Sequence, residues 1–349
     1  MSSTILVPEM FCINAPLIDY GNFKYGNIAN ANRYDYFKQD NELLFQIQVE
    51  IDKQPLFEPK VGDMSFYNIN GHIGTDVIRR KRPFLFKKNG YFDLESLFGE
   101  RIKISLTASY LNMALKRISK MRSLGVELTD IVTLRLLHEN KLSFHGGTFT
   151  YGGGAHIITG LPDTGKTLST MSLIDEDGVG YMSEDIIVID ENCFAYAVPF
   201  TQTVEKRKNL SCFQKVTGRV YESWYKNNYI KSDVIEVMPE VGERIEKKNK
   251  VETIFFLTKG ESDSINTIEE KSSILNDLIR LNNLEFTYWR NEFILSYLYF
   301  NSKEVISSYL LQEADLIRNL VESSKVVQLS SPNPFNFAPM IKEYLSLNS

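Results

Sequence analysis

The chain has 349 residues, of which 43% are hydrophobic and 24% charged. Those are ordinary globular values, which exclude a disordered or collagen-like chain and predict about two domains. Lysine and arginine number 39 against 44 acidic residues, a formal net charge of −5, which argues against a protein built to coat nucleic acid.

The opening stretch MSSTILVPEMFC lacks the basic start of a signal peptide, and Pro8 and Glu9 interrupt its apolar run. No stretch approaches the roughly 20 apolar residues of a membrane-spanning helix, so no membrane partner is expected and the default is a soluble cytoplasmic protein. Cys12, Cys193 and Cys212 are widely separated and form no C-x-x-C pair. His72, His138, His145 and His156 form no H-x-x-x-H pair. Neither a disulfide framework nor a structural zinc site is indicated, which fits a reducing cytosol.

Residues 1–105 predict an N-terminal α+β region. LLFQIQVEI (43–51) has the β-branched and aromatic content of a strand. Asp19-Tyr20-Gly21, Asn70-Gly71 and Asn89-Gly90 are turn signals. The basic run RRKRP (79–83) reads as a solvated loop in preference to an anion site. From 106 to 140 the period becomes helical, predicting a connector. Leu111, Ala114, Leu115 and Ile118 recur at helical spacing with Gly125 as C-cap. VELTDIVTLRLLHEN (126–140) repeats the pattern with Thr129 or Asp130 as N-cap.

Residues 141–262 predict a strand-rich core. SFHGGTFT (143–150), the glycine turn YGGG and AHIITG (155–160) read as a hairpin, and a loop and short helix follow. GYMSEDIIVID and CFAYAVP then form a strand pair, and TIFFLTKG (253–260) is a buried strand. Residues 263–349 read as a helical C-terminal segment, with IEEKSSILNDLIRLNN and SKEVISSYLLQEADLIRNLVESSK as helices. The aromatic stretch Phe293–Phe300 is a core helix or strand, and SSPNPFNFAP (330–339) is a loop before a final helix.

One motif carries chemistry. Gly160-Leu161-Pro162-Asp163-Thr164-Gly165-Lys166-Thr167 matches G-x-x-x-x-G-K-[ST]. Its glycines let the backbone curl so that successive N–H groups face phosphate oxygens, and the following helix presents its positive end. Lys166 adds a charge at the β- and γ-phosphates, and the Thr167 hydroxyl suits Mg²⁺. Leu168 completes the nucleotide-contacting stretch. The context agrees, because an apolar strand precedes the loop and a helix follows it. Two residues depart from the ideal: Pro162 removes a backbone donor, and Asp163 sets a negative charge beside the phosphates. Two acidic pairs compete to serve the metal, Glu184-Asp185 and Asp190-Glu191. If GVGYMSED is the strand beside the loop's own strand, Asp190 lies roughly 16 Å further along an extended path. Glu184-Asp185 is therefore favoured, and Asp190-Glu191-Asn192 makes a hairpin turn into CFAYAVP.

Residues 143–190 as a whole resemble the core of HPr kinase/phosphorylases. The His145-Gly146 pair, a glycine turn, a strand, the phosphate loop, a short helix and an acidic pair follow in that family's order. The wording GLPDTGKT is also similar to that of ATP-dependent phosphoenolpyruvate carboxykinases, which share the fold. The resemblance implies an α/β protein with a P-loop kinase core of this type, ATP and Mg²⁺ as cofactors, and a family habit of forming homo-oligomers. It implies transfer of the γ-phosphate to a hydroxyl, serine first, of a protein, peptide or small-molecule acceptor. Lys166 would hold phosphates, Thr167 and Asp185 the metal, Glu184 or Asp185 would take the proton, and His145 would orient the acid pair. Three departures stand out. Leu168 replaces the family's acid after the loop, Glu184 replaces an Asp, and the family's later Arg-Gly signature is not recognisable. A cationic clamp on the transferring group is expected, with Lys206, Arg207, Arg219 and Arg244 as candidates. GERIEKKNK (242–250) is a loop over the site or a polar connection. The alternative reading is a nucleotide-binding sensor or scaffold that transfers nothing. Segments typical of ABC ATPases, GTPases and eukaryotic-type protein kinases are absent.

Overall fold

A computed structural model describes residues 2–7, 9–16, 23–26, 43–52, 66–68, 77–83, 89–115, 122–174, 176–198, 244–302 and 304–348. The protein is mixed α/β, built on two sheets. The first has seven strands: β1 (Ser2–Val7), β2 (Phe11–Pro16), β3 (Phe45–Asp52), β4 (Phe66–Asn68), β5 (Val77–Pro83), β6 (Asn89–Glu95) and β7 (Arg101–Thr107). Their order is β1-β2-β3-β7-β6-β5-β4. β3 lies parallel to both β2 and β7, and the other pairs are antiparallel.

Helix α1 (Ala108–Leu115) follows directly, and α2 spans Leu124–His138. Ser123 is the N-cap of α2, its side chain accepting from the Val126 N–H. The expected caps are therefore corrected. Gly125 stands in the first turn of α2, and Thr129 and Asp130 lie inside it, because Ser123 already offers its hydroxyl as the cap ahead of both. Nor is α2 a connector. Nearly all of its side chains are buried, and Leu128, Ile131, Val132 and Leu134 join one core with Phe11, Phe45 and Ile47 of the first sheet and Ile186 and Val188 of the second. A helix buried all round belongs to the core.

The second sheet contains β8 (Lys141–His145), β9 (Gly147–Tyr151), β10 (Gly154–Gly160), β11 (Gly180–Ser183), β12 (Ile186–Asp190), β13 (Phe194–Tyr196), β14 (Lys248–Lys259), β15 (Ser264–Thr267) and β16 (Lys325–Ser331). Helix α3 (Lys166–Ile174) follows β10. Helices α4 (Ser272–Glu285), α5 (Glu292–Asn301), α6 (Ile306–Ser323) and α7 (Phe337–Asn348) complete the chain. Three strands run parallel at the centre, β10 beside β14 and β14 beside β16. Helices cover both faces. Ile157, Ile254 and Val326 pack against Ile274, Leu278, Ile317 and Leu320 of α4 and α6. Their neighbours Ile158, Phe255 and Val327 point the other way, against Leu173 of α3 and Phe337 and Ile341 of α7.

Several element expectations change. The C-terminal segment is not helical throughout, since β16 enters the centre of the sheet and β15 pairs with it; a boundary at 262 would separate β14 from its neighbour. Asn89-Gly90 opens strand β6, because a side chain at Gly90 would meet the Tyr110 backbone of α1 at 2.9 Å. RRKRP lies in strand β5. Phe293–Phe300 belongs to helix α5. The turn signals Asp19-Tyr20-Gly21 and Asn70-Gly71 lie outside the described residues. Among the described residues no helix is long and apolar enough to cross a membrane.

Candidate functional site

The phosphate-type loop connects β10 to α3. Gly160 leaves the strand at φ +151°, where a side chain would stand 2.5 Å from the Leu257 carbonyl oxygen on β14. Gly165, at φ +105°, lies against Pro334 in the segment after β16. Neither position admits a β-carbon without moving its neighbour, Leu257 of β14 for Gly160 and Pro334 for Gly165. The Thr164 hydroxyl donates to the Leu161 carbonyl at 2.8 Å. Lys166, first residue of α3, curls back over the loop and donates to the Gly160 and Leu161 carbonyls at 2.9 and 3.0 Å. Burial lowers the pKa of its ammonium, while Glu285, Asp185 and Asp163 act the other way.

The second part of the site is a seam in the sheet. β8 and β9 are not one strand: the chain switches partners at Gly146, β8 pairing with β12 and β9 with β10 and β11. β11 and β12 are likewise separated, at Glu184-Asp185. The two interruptions lie side by side, with the Gly146 N–H donating to the Asp185 carbonyl at 2.9 Å. A side chain at Gly147 would fall 2.1 Å from the Thr170 hydroxyl of α3 and 3.1 Å from the Glu184 carbonyl oxygen. Glycine there brings the loop's helix down onto the acidic pair. The expectation that GVGYMSED neighbours the loop's strand is corrected, because β9 stands between β11 and β10.

Glu184 is buried, with the Thr167 hydroxyl beside it. Burial pushes its carboxyl up to about 7, against the opposing pull of the Thr167 hydroxyl. Asp185 is one-third exposed, with its Oδ1 3.4 Å from Nδ1 of buried His145. Thr167 thus lies by Glu184, whereas Asp185, the acid expected on the metal with Thr167, pairs with the histidine. Among the described residues no group of three or more His, Cys, Asp or Glu is arranged to hold a metal unaided.

Two site residues had no sequence signal. Glu285, the last residue of α4, lies 3.8 Å from His145 Nε2 and forms an ion pair with Lys24. Burial alone would raise the Glu285 carboxyl, but His145 and Lys24 outweigh it and hold the carboxyl below its ordinary value. Burial lowers the His145 pKa, with Asp185 and Glu285 opposing. One turn before Glu285, Asn282 fixes α4 to β8. It accepts from the His145 N–H at 3.1 Å and donates to the Ser143 carbonyl at 2.9 Å.

Other candidates lie elsewhere. Asp190 closes the β12–β13 turn, accepting from the Asn192 and Phe194 N–H groups at 3.0 and 2.9 Å and from the Tyr196 hydroxyl at 3.0 Å. That matches the hairpin role expected of it. Arg244 is no clamp, for its guanidinium donates to the Ile174 carbonyl at 2.8 Å, at the far end of α3. The segment after Arg244 leads into β14 beside β11, as a polar connection. Lys206, Arg207 and Arg219 lie outside the described residues.

No protein-family model matches the chain, and no curated protein matches it. Among solved structures it is similar to the Hpr(Ser) kinase/phosphatase from Coxiella burnetii, at 12% sequence identity and a TM-score of 0.27. The match covers 59% of this chain and 88% of that one. Similarity at that level leaves the functional reading to the residues of the site.

Proposed function

We propose that this chain is an ATP-dependent phosphotransferase with a P-loop core of the HPr kinase/phosphoenolpyruvate carboxykinase type. It moves the γ-phosphoryl group of ATP to a hydroxyl, serine first, of a protein, peptide or small-molecule acceptor. One observation carries the reading: the Gly160–Thr167 loop, Glu184 beside Thr167 and the His145–Asp185 pair converge where β10 ends and the sheet is interrupted.

Phosphoryl transfer asks mainly for positioning and charge neutralisation. The loop amides and Lys166 hold the β- and γ-phosphates. A hydroxyl with an adjoining carboxylate suits Mg²⁺, which takes one or two carboxylates and completes its shell with phosphate and water. Thr167 and Glu184 are those donors, in place of the Thr167 and Asp185 first expected. When bound, the metal neutralises charge on the phosphoryl oxygens. Asp185, the more accessible acid, takes the proton of the attacking hydroxyl, and His145 orients it. Such base assistance is worth about 10²–10⁴-fold. The buried thiols of Cys12 and Cys193 fit action in a reducing cytoplasm.

A second reading, a nucleotide sensor without transfer, draws support from the loop itself. Pro162 offers no N–H there, and the Asp163 charge is felt by Lys166 where phosphate would be. The test is Mg²⁺-dependent transfer of radiolabelled γ-phosphate in host-cell lysate. A labelled species made by the wild type and lost in both Lys166→Ala and Asp185→Asn supports the kinase and identifies its acceptor. ATP binding with no labelled product supports the sensor. Absence of ATP binding removes both.

A further inference from the structure

We propose that Lys24 is the second cation on the γ-phosphate, supplied to the phosphate loop from the N-terminal region; the proposal rests on the nucleotide-binding reading above.

Lys24 reaches the site through one chain of charged groups. Its ammonium pairs with Glu285, the other oxygen of Glu285 lies 3.8 Å from His145, and His145 lies 3.4 Å from Asp185. It is also close enough to disfavour the charged forms of both Lys166 and His145. The turn that carries it is firmly seated. The Lys24 N–H donates to the Thr129 hydroxyl of α2 at 3.0 Å. The neighbouring Tyr25 is fully buried, and its hydroxyl bonds Thr133 of α2 at 2.8 Å and Ser143 of β8. Phe23 is buried beside it. An anchored backbone with a long flexible stem is what a phosphate-seeking ammonium needs.

The site also calls for such a charge. The charges of Glu285, Asp185 and Asp163 already act on Lys166, and a triphosphate adds more negative charge. Arg244 is committed to the far end of α3. Lys24 and Glu285 form part of the wall of a cleft of about 440 Å³ lined also by Arg122, Asp130 and Arg290, so the pair is open to approach from outside, and the chain of charged groups through His145 and Asp185 links it to the loop's side of the site. In the transfer, the bond from γ-phosphorus to the β–γ bridging oxygen breaks and a bond to the acceptor oxygen forms. The hydroxyl proton passes to Asp185, and ADP leaves with the bridging electrons. Lys24 donates N–H groups to the non-bridging γ-oxygens and exchanges no proton.

The consequence is a contact that distinguishes ATP from ADP. Isothermal titration calorimetry of the full chain with Mg²⁺-ATP and Mg²⁺-ADP tests it. Lys24→Met lowers ATP affinity about tenfold or more and leaves ADP affinity within about twofold. Lys24→Arg retains most of the preference, whereas Lys166→Ala weakens both nucleotides. The double variant Lys24→Met/Glu285→Gln stays as weak for ATP as Lys24→Met. Equal losses for ATP and ADP in Lys24→Met overturn the proposal, as does an unchanged ATP affinity. Recovery in the double variant overturns it too, because Lys24 would then be only the counter-charge of Glu285. If Lys24→Met loses its cooperative thermal transition, Lys24→Gln carries the same comparison. A wild type that binds neither nucleotide sinks the phosphate-loop reading and this one with it. A wild type that binds both but distinguishes them no better than Lys24→Met sinks this one alone.

Discussion

Along β10 every residue from Gly154 to Gly160 is buried, whereas along β3 buried Phe45, Ile47 and Val49 alternate with Gln46, Gln48 and Glu50, which reach solvent. The second sheet is covered on both faces at its centre, by α4 and α6 on one side and α3 and α7 on the other. The first packs one face on α2 and α5 and leaves the other lining a polar cleft with Gln46, Gln48 and Lys103. Parallel strands covered on both faces hold their ends in place from two sides, while a one-faced sheet is specified by one layer alone. The loop proposed to hold phosphate stands at the end of the doubly covered strands. The one-faced sheet sends the turn of Lys24, pinned to α2, to Glu285.

The largest test of that contrast is Phe255→Ala, at the centre of the doubly covered sheet. Removing a fully buried ring that packs edge-on against Tyr344 costs about 3–5 kcal/mol, read from urea unfolding; a cost under about 1 kcal/mol would mean that face is loosely packed. Next comes Gly147→Ala at the seam. The added methyl must push Thr170 and α3 away from Glu184, at a cost of about 1–3 kcal/mol, and Mg²⁺-ATP affinity falls with it. Unaltered stability and affinity would show that the helix rides freely over the seam. The smallest effect is Gln48→Ala on the wet face of β3, within about 0.5 kcal/mol of wild type by the same unfolding measurement. A larger loss would reveal that this face is covered in solution.

What could be read ahead of the structure was what is written locally. AHIITG and KTLSTMSLI flank the loop motif and become β10 and α3 with nearly the expected ends. Asp190 was separable from Glu184-Asp185 because strand rise sets distance along a chain. The seam was harder to see. SFHGGTFT has uniform strand character, and only the paired glycines at 146 and 147 mark the change of partner. β16 was missed because it follows a long amphipathic helix, with Val326-Val327 as its sole β-branched signal. Lys24 and Glu285 lie 261 positions apart, and nothing near either residue announces the pair. Their meeting is a property of the assembled core, in which α2 and α4 both lie against β8.

The Gly152-Gly153 turn joins β9 to β10 with left-handed φ values of +62° and +88° and nothing within 4 Å of where side chains would point. Opening the chain there cuts no sheet pairing other than the hairpin's own closure. It divides the molecule into a fragment ending in β9, which carries His145, and a fragment beginning with β10, which carries the loop, the acidic pair and Glu285. Each half would hold only part of the nucleotide's surroundings. On the proposed nucleotide-binding reading, reassembly of the two would then be strengthened by ATP, and the severed protein would serve as a split reporter for it.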